Sequence, residues 1–312
     1  MAESSAQIVV LDGSPQAMDV LRQSSCAFGV FDGVHKGHCY IIGRAIAAAK
    51  ERGGRSVVLT FDRDPDELFR PDKLKKLLSN EDRLKALATT GVDAVAVLRF
   101  TRDFAALEPE VFLDSTFDRA LPASIHVGCD FAYGARAAGS LADLKRWGSA
   151  HGVDVDGYDL VSEDGAPITA TRIRGLLATG DVAEANELLG RPYRVHGTVR
   201  EGRGEGRDLG FRTANLVVSP QMRALGDGVY AAWAEVEGAR YKAAVSVGIA
   251  PTFADEATAT MEIHLLDFDR NIYGQDIAVD FMEWLRPMMK FSSTEELVST
   301  VMGNIAWVRE NL

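Results

Sequence analysis

Two histidines, His35 and His38, stand three residues apart in "FDGVHKGH" (31–38), with Gly33 and Gly37 beside them. An apolar run ends just before this stretch, and a helix-forming run, "CYIIGRAIAAAK", begins just after it. Glycines let the backbone approach a ligand closely, and a following helix offers unpaired N–H groups and a positive dipole end to a phosphate. Imidazoles at the same place can donate to phosphate oxygens. No side chain in the stretch is placed as a covalent nucleophile. The pattern suits nucleotidyl transfer, where positioning and charge stabilisation do most of the catalysis. Taken alone, it reads equally well as a glycine-rich turn with a helix-capping histidine.

A second region is "VREGRGEGRDLGFRTANL" (199–216), glycine-rich and basic, leading into a strand. Exposed backbone N–H groups in such a loop make an anion-binding concavity. The Walker pattern G-x-x-x-x-G-K-[ST] is absent. Thr213 and Asn215 alternate onto one strand face and supply neutral oxygens, which suit Mg²⁺ carried on ATP phosphates. In "MEIHLLDF" (261–268), period-two alternation sends Met261, Ile263 and Leu265 to one face and Glu262 and His264 to the other. On spacing alone, Thr213, Asn215 and Glu262 read as polar residues on a solvated strand face.

The elements that carry these residues follow two grammars. As far as about residue 190, near-continuous apolar strands alternate with helices. "AQIVVL", "CAFGVF", "SVVLTF" (56–61), "VDAVAVLRF" (92–100) and "SIHVGCDF" (124–131) read as buried strands. "GHCYIIGRAIAAAKERG", "NEDRLKALATTG" and "LADLKRWGSAHG" read as helices, the first with Ile42, Ala45, Ile46 and Ala49 on one stripe and Gly53 as its stop. This alternation predicts a doubly wound parallel sheet, with ligands bound beyond the carboxyl ends of its strands. From about Arg191, six short strands separated by turns predict a small antiparallel barrel. "SSTEELVSTVMGNIAWVRENL" closes the chain as a helix, with Ser293 and Glu296 spaced for a capping box. The change of grammar sets the boundary near "LLGRPY" (188–193).

With 312 residues the chain is long enough for two domains. A net charge of −11 argues against nucleic-acid binding, so anions must be met at local clusters. Cys26, Cys39 and Cys129 are odd in number and lack CxxC spacing, which fits a reducing compartment. The first residues carry no basic start followed by a long apolar run, and no apolar stretch is long enough to span a membrane. The expectation is a cytoplasmic protein acting on small molecules, without a nucleic-acid, membrane or obligate protein partner.

"GVFDGVHKGH" resembles the HxGH signature of the nucleotidyltransferase superfamily and, more narrowly, that of the bacterial bifunctional riboflavin kinase/FAD synthetases. "VGCDFAYG" (127–134) is similar to that family's G-x-D-F-x-F-G segment, and "ITATRIRGLLATGDVAEANELLGRPY" (168–193) to its I-S-S-T-R-I-R segment. The stretch 199–216 resembles the kinase motif G-R-x-L-G-F-P-T-A-N, and "SVGIAPTF" (246–253) and the run 261–291 resemble later kinase segments. The resemblance implies an FMN adenylyltransferase domain over 1–188 and a riboflavin kinase domain over 189–312. It implies that His35 and His38 contact ATP phosphates with Gly33 and Gly37, and that Thr171, Arg172 and Arg174 close over the triphosphate. Asp130 and Phe131 fall at the flavin or nucleotide contact. In the kinase half, Gly206, Arg207, Thr213 and Asn215 meet MgATP, and Glu262 is the general base. The substrates implied are riboflavin, FMN and ATP, with Mg²⁺ the divalent ion.

Three departures from the family pattern bear on the sites. Asp64 stands where the histidine of T-F-D-P-H-P is usual, Ala170 replaces the second serine of I-S-S-T, and Arg212 replaces a proline. A carboxylate facing a triphosphate repels it unless Mg²⁺ or Arg63 intervenes. Arg212 frees a loop that proline would restrict and adds a cation. These departures leave open a kinase-dominant enzyme with a weakened adenylyltransferase half, or a flavin-binding sensor without catalysis. A nucleotidyltransferase for another substrate, such as a cytidylyltransferase, is a further alternative that the kinase-like second half opposes.

Overall fold

The computed structural model describes residues 5–71, 73–117, 120–201, 211–222, 225–248 and 260–312. By packing, the chain divides into two compact units, Met1–Ala170 and Thr171–Leu312. The motif-based boundary at 188/189 falls later, because the helices Ala170–Thr179 and Val182–Leu189 are almost wholly within the second unit by packing.

The first unit is a six-stranded parallel sheet in the order β1-β4-β3-β2-β5-β6, formed by β1 (Gln7–Leu11), β2 (Ser25–Phe28), β3 (Ser56–Phe61), β4 (Ala94–Leu98), β5 (Ser124–Gly128) and β6 (Asp154–Tyr158). Successive side chains leave a strand on opposite faces, and each face has its own core. Val57, Leu59, Ala94 and Ala96 meet Phe112, Leu113 and Trp147 on one side. Val58, Val95 and Val97 meet Ile42, Ala45 and Leu87 on the other. The doubly wound expectation holds for that reason.

Two strand expectations need correction. β1 is an edge strand rather than a buried one, with Ile8 and Val10 42% and 47% exposed, since only β4 pairs with it. "CAFGVF" stops being a strand at Phe28, because the chain turns through Gly29–Phe31 into the HxGH segment. β6 and the hairpin β7 (Ser162–Glu163) with β8 (Ala166–Pro167) were not legible, as their segments are polar and half exposed.

The helix Lys36–Arg52 ends at Gly53, whose φ of 63° makes it the left-handed stop expected. Leu141–His151 starts with a complete capping box from Ser140 and Asp143.

In the second unit, β9 (Tyr193–Arg200), β10 (Ala214–Val218), β11 (Gly228–Val236), β12 (Ala239–Gly248), β13 (Thr260–Leu265) and β14 (Asp276–Arg286) close into an antiparallel barrel in the order β10-β13-β12-β11-β14-β9. Val199, Leu216, Tyr230, Val245, Ile263 and Phe281 are buried within it. The terminal helix Thr294–Asn311 packs Ile305 and Val308 against Ala231 and Leu266. Its capping box is displaced by one residue: Ser293 Oγ accepts the Glu296 N–H, but the Glu296 carboxylate accepts from Ser292 rather than from Ser293.

Candidate functional sites

In the sheet of the first unit, β2 is followed by β3 and β4 on one side, while β5 and β6 lie on the other. The strand order therefore reverses between β2 and β5, and the crevice beyond their carboxyl ends is the place where such sheets bind ligands. His35–His38 follow β2 and Asp130 follows β5, so both motifs sit at this switch point. Phe28, the last residue of β2, packs its ring 5.1 Å from that of Phe131.

His35 is the N-cap of Lys36–Arg52: its Nδ1 accepts the His38 N–H at 3.3 Å. The two imidazoles stack with centroids 3.6 Å apart, and Phe31 meets His38 edge-on at 5.3 Å. Gly37 is tightly enclosed, since a Cβ would lie 3.2 Å from His35 Cε1 and Nδ1 and 3.4 Å from the Ile168 carbonyl. Gly33 has a φ of 80°, which glycine adopts without penalty. Asp130 is exposed, and its Oδ1 lies where a Cβ on Gly128 would come within 2.7 Å, so the carboxylate folds back over a glycine. Phe131 is half-buried against Phe28 and Tyr133.

Sequence reasoning missed three groups here. Lys36 Nζ donates to both oxygens of Glu163 at 2.9 and 3.0 Å, tying β7 to the start of the histidine helix. The buried Asp32 carboxylate accepts the N–H groups of Leu77 (3.1 Å) and Leu78 (3.4 Å). Arg83 is buried although "NEDRLKAL" presents it as an ordinary charged helix residue. No periodicity signals any of these, because each partner comes from a distant element.

Asp64 does not stand as a bare charge. Its Oδ1 accepts the Asp66 N–H at 2.9 Å and its own N–H donates to Glu67 at 3.1 Å. Burial alone would raise the Glu67 carboxyl, but the Lys76 ammonium at 3.1 Å, the Asp64 N–H and Asn80 hold it below its usual value. Arg63 pairs with Asp62 at 3.4 Å.

Thr171, Arg172 and Arg174 belong to the second unit, on the helix Ala170–Thr179 whose first residue is Ala170. Thr171 is exposed. Arg172 is half-buried and bonds Glu184 at 2.7 Å, so it is not a freely solvated helix residue.

On the barrel, Asn215 of β10 lies directly opposite Glu262 of β13, and Glu262 directly opposite Ser246 of β12. Asn215 faces Arg200 of β9 on its other side. Arg200, Asn215, Glu262 and Ser246 thus form one row across four strands, on the face opposite to buried Met261 and Ile263. Glu262 is exposed. Thr213 immediately precedes β10 and is half-buried, and Arg212 turns away toward the Asp269 carbonyl at 3.5 Å while its own carbonyl accepts from His264 Nδ1 at 2.8 Å. Gly206 and Arg207 lie outside the described residues, as do residues 249–259. Among the described residues, no group of three or more His, Cys, Asp or Glu could hold a metal ion.

A parallel-sheet unit with two histidines at its switch point and a closed barrel bearing a carboxylate–amide row are the two architectures that this chain joins. Family models agree unit by unit: FAD synthetase matches residues 17–172 and riboflavin kinase residues 189–312. The bifunctional riboflavin kinase/FMN adenylyltransferase of Listeria monocytogenes is 34% identical over 275 residues, covering 88% of this chain and 87% of that protein. The protein of the same name from Pseudomonas fluorescens is 33% identical over 289 residues, covering 92% and 93%. A crystal structure of a macrolide-efflux protein from Streptococcus pneumoniae superposes with a TM-score of 0.85 at 30% identity, covering 98% of this chain and 99% of that one. Among the described residues, no helix is long and apolar enough to cross a membrane.

The chain belongs to the bifunctional riboflavin kinase/FMN adenylyltransferase family. It is an enzyme with both activities, and its substrates are riboflavin, FMN and ATP. A cytidylyltransferase or a sensor without catalysis does not fit a chain that matches both domains of this enzyme family.

Proposed function

We propose that the two activities are divided between two sites, FMN adenylylation in residues 1–188 and riboflavin phosphorylation in residues 189–312. The observation that carries this reading is that each unit holds its own constellation: the capped, stacked His35–His38 pair in one and the Asn215–Glu262 cross-strand pair in the other.

In adenylyl transfer, His35 and His38 with the first N–H groups of their helix bind the ATP phosphates and the charge that shifts as pyrophosphate leaves. Gly33 and Gly37 let the main chain approach. Asp130 and Phe131 border the flavin, and Thr171, Arg172 and Arg174 contact the triphosphate. In the kinase half, Glu262 accepts the proton of the riboflavin ribityl hydroxyl as that oxygen attacks the γ-phosphate. The Thr213 hydroxyl and the Asn215 amide are hard oxygen donors of the kind Mg²⁺ takes, and the fit is to an ion that arrives on ATP. Magnesium bound there neutralises phosphate charge. Gly206 and Arg207 complete the ATP contacts. The reading needs only small molecules in a cytoplasmic setting, with no nucleic acid, membrane or obligate protein partner.

The test is chromatography of riboflavin, FMN and FAD after incubation with MgATP, starting from riboflavin and, separately, from FMN. The division holds if Glu262→Gln abolishes only the first conversion and His38→Ala only the second. Parallel loss of both conversions in either folded variant refutes it.

A further inference from the structure

The turn that presents His35 and His38 is held in conformations its residues do not favour. Phe31 and Val34 have φ of 58° and 42°, both are buried, and neither is glycine. A branched residue such as Val34 in the left-handed region is a true outlier, and such strain persists only where the surroundings over-determine it. Asp32 supplies one restraint through its bonds to the Leu77 and Leu78 N–H groups.

Arg83 supplies another. It lies on the helix Asn80–Ala88, only 2% exposed, among the largest fully buried side chains described. Its Nη1 donates to the Val30 carbonyl and to Thr60 Oγ1, each at 2.7 Å, and its Nη2 donates to the Phe61 carbonyl at 2.7 Å. Thr60 Oγ1 in turn donates to the Val30 carbonyl at 3.2 Å. Val30 immediately precedes the strained turn, and Phe61 ends β3. One planar guanidinium therefore ties together the outgoing ends of two adjacent strands, and these three acceptors are neutral oxygens. A lysine could not span them, since an ammonium lacks the fixed fork. Burial pushes the guanidinium below its ordinary value, while Asp32 and Asp64 act in the opposite sense. A buried cation is costly unless its donors are satisfied, and removing it would leave the Val30 and Phe61 carbonyls without that donor.

The geometry points to Arg83 as a positioning residue for FMN adenylylation, acting through the main chain of Val30 and Phe61 to hold the turn that presents His35 and His38. This rests on the assignment of that reaction to the two histidines. It adds that the geometry of the turn, and not only the identity of the histidines, sets the use of MgATP.

The full chain carrying Arg83→Lys or Thr60→Val tests this. FAD formation from supplied FMN is measured over a range of MgATP, with riboflavin phosphorylation measured on the same preparations. For Arg83→Lys, KM for MgATP rises and kcat falls, for a combined loss of about 10²-fold, the scale of a 1 Å misplacement. Thr60→Val keeps the shape but loses the oxygen that accepts from Arg83 and donates to the Val30 carbonyl, and gives the same pattern at about tenfold, the lower end of one hydrogen bond to a charged group. Kinase kinetics stay at the parent values in both. Parent kinetics for FAD formation, or a lower Vmax at unchanged KM as a smaller folded fraction gives, overturns the proposal. If Arg83→Lys does not fold, Thr60→Val decides alone. His38→Ala, run alongside, separates the two layers. Unimpaired FAD formation in that variant removes the histidine assignment. Impairment there, with parent-like Arg83 and Thr60 variants, removes only the role of Arg83.

Discussion

Asn215 and Glu262 face each other directly across β10 and β13, on the exposed side of a strand pair whose inner side is closed by Leu216, Met261 and Ile263. An amide oxygen and a carboxylate thereby share one cross-strand position, where opposed Cβ atoms lie about 5 Å apart. Phosphoryl transfer to a hydroxyl uses a phosphate-bound cation and a proton-accepting oxygen. The pair motivates the first expectation.

Glu262→Gln keeps the shape and loses the proton acceptor. Riboflavin phosphorylation is expected to fall by about 10²–10⁴, the usual worth of a general base, while FAD formation from supplied FMN continues. FMN production at the parent rate removes Glu262 as the base. Thr213→Ala weakens MgATP use in the same half-reaction, seen as a higher KM.

Gly37→Ala places a methyl group 3.2 Å from the His35 ring and 3.4 Å from the Ile168 carbonyl, closer than neighbours comfortably allow. The ring has to shift, and its cap on His38 with it. Alanine suits the helix itself better than glycine does, so thermal stability should change little. FAD formation should fall at least tenfold with the kinase rate intact. A variant with full FAD output shows that the ring has room to move.

His126 carries a pH dependence. It is buried between Ser124 Oγ at 3.0 Å and the Tyr158 hydroxyl at 2.8 Å, with Asp156 3.8 Å away and Arg44 and Arg52 also acting on it. Burial lowers its folded-state pKa, the two arginines lower it further, and Asp156 opposes them. Both states are neutral above the unfolded value of about 6.5, so the contribution to stability is fully present there. Below that pH the unfolded chain takes the proton first, and stability declines until the folded-state value is passed. The thermal midpoint of the sheet unit should fall from pH 7 to pH 5, and His126→Asn should flatten the slope. An unchanged slope assigns the acid sensitivity to other groups.

The adenylyltransferase half carries two departures, Asp64 and Ala170, and the kinase half one, Arg212. A hydrogen bond to a charged group is worth about 1.5–3 kcal/mol, roughly tenfold to a hundredfold in affinity. FMN is therefore expected to accumulate ahead of FAD when riboflavin is supplied. Asp64→His combined with Ala170→Ser should raise FAD output at an unchanged kinase rate. Because Arg63 pairs with Asp62, Arg63→Ala should leave both rates alone. A time course without an FMN lag, together with no gain from the double change, shows that Asp64 is neutralised within its own turn.

Local pattern determined a good deal here. Near-continuous apolar strands alternating with helices were enough for a parallel sheet, short strands between turns for the barrel that follows, a glycine after an apolar stripe for the helix stop at Gly53, and period-two alternation for Glu262 on the polar face of its strand. Periodicity encodes which face a residue occupies, because the backbone repeat is local. It does not encode which distant strand lies opposite. Closure of the barrel paired Glu262 with Asn215 and Ser246, and the sheet order brought the HxGH turn beside Asp130's loop. Position at the sheet edge left Ile8 and Val10 exposed in a strand that reads as core. The burial of Arg83 was decided in the same way: a charged residue in a polar helix is held in the interior by three oxygens that converge on it from β3 and from the segment after β2. Such convergence exists only once the chain has folded.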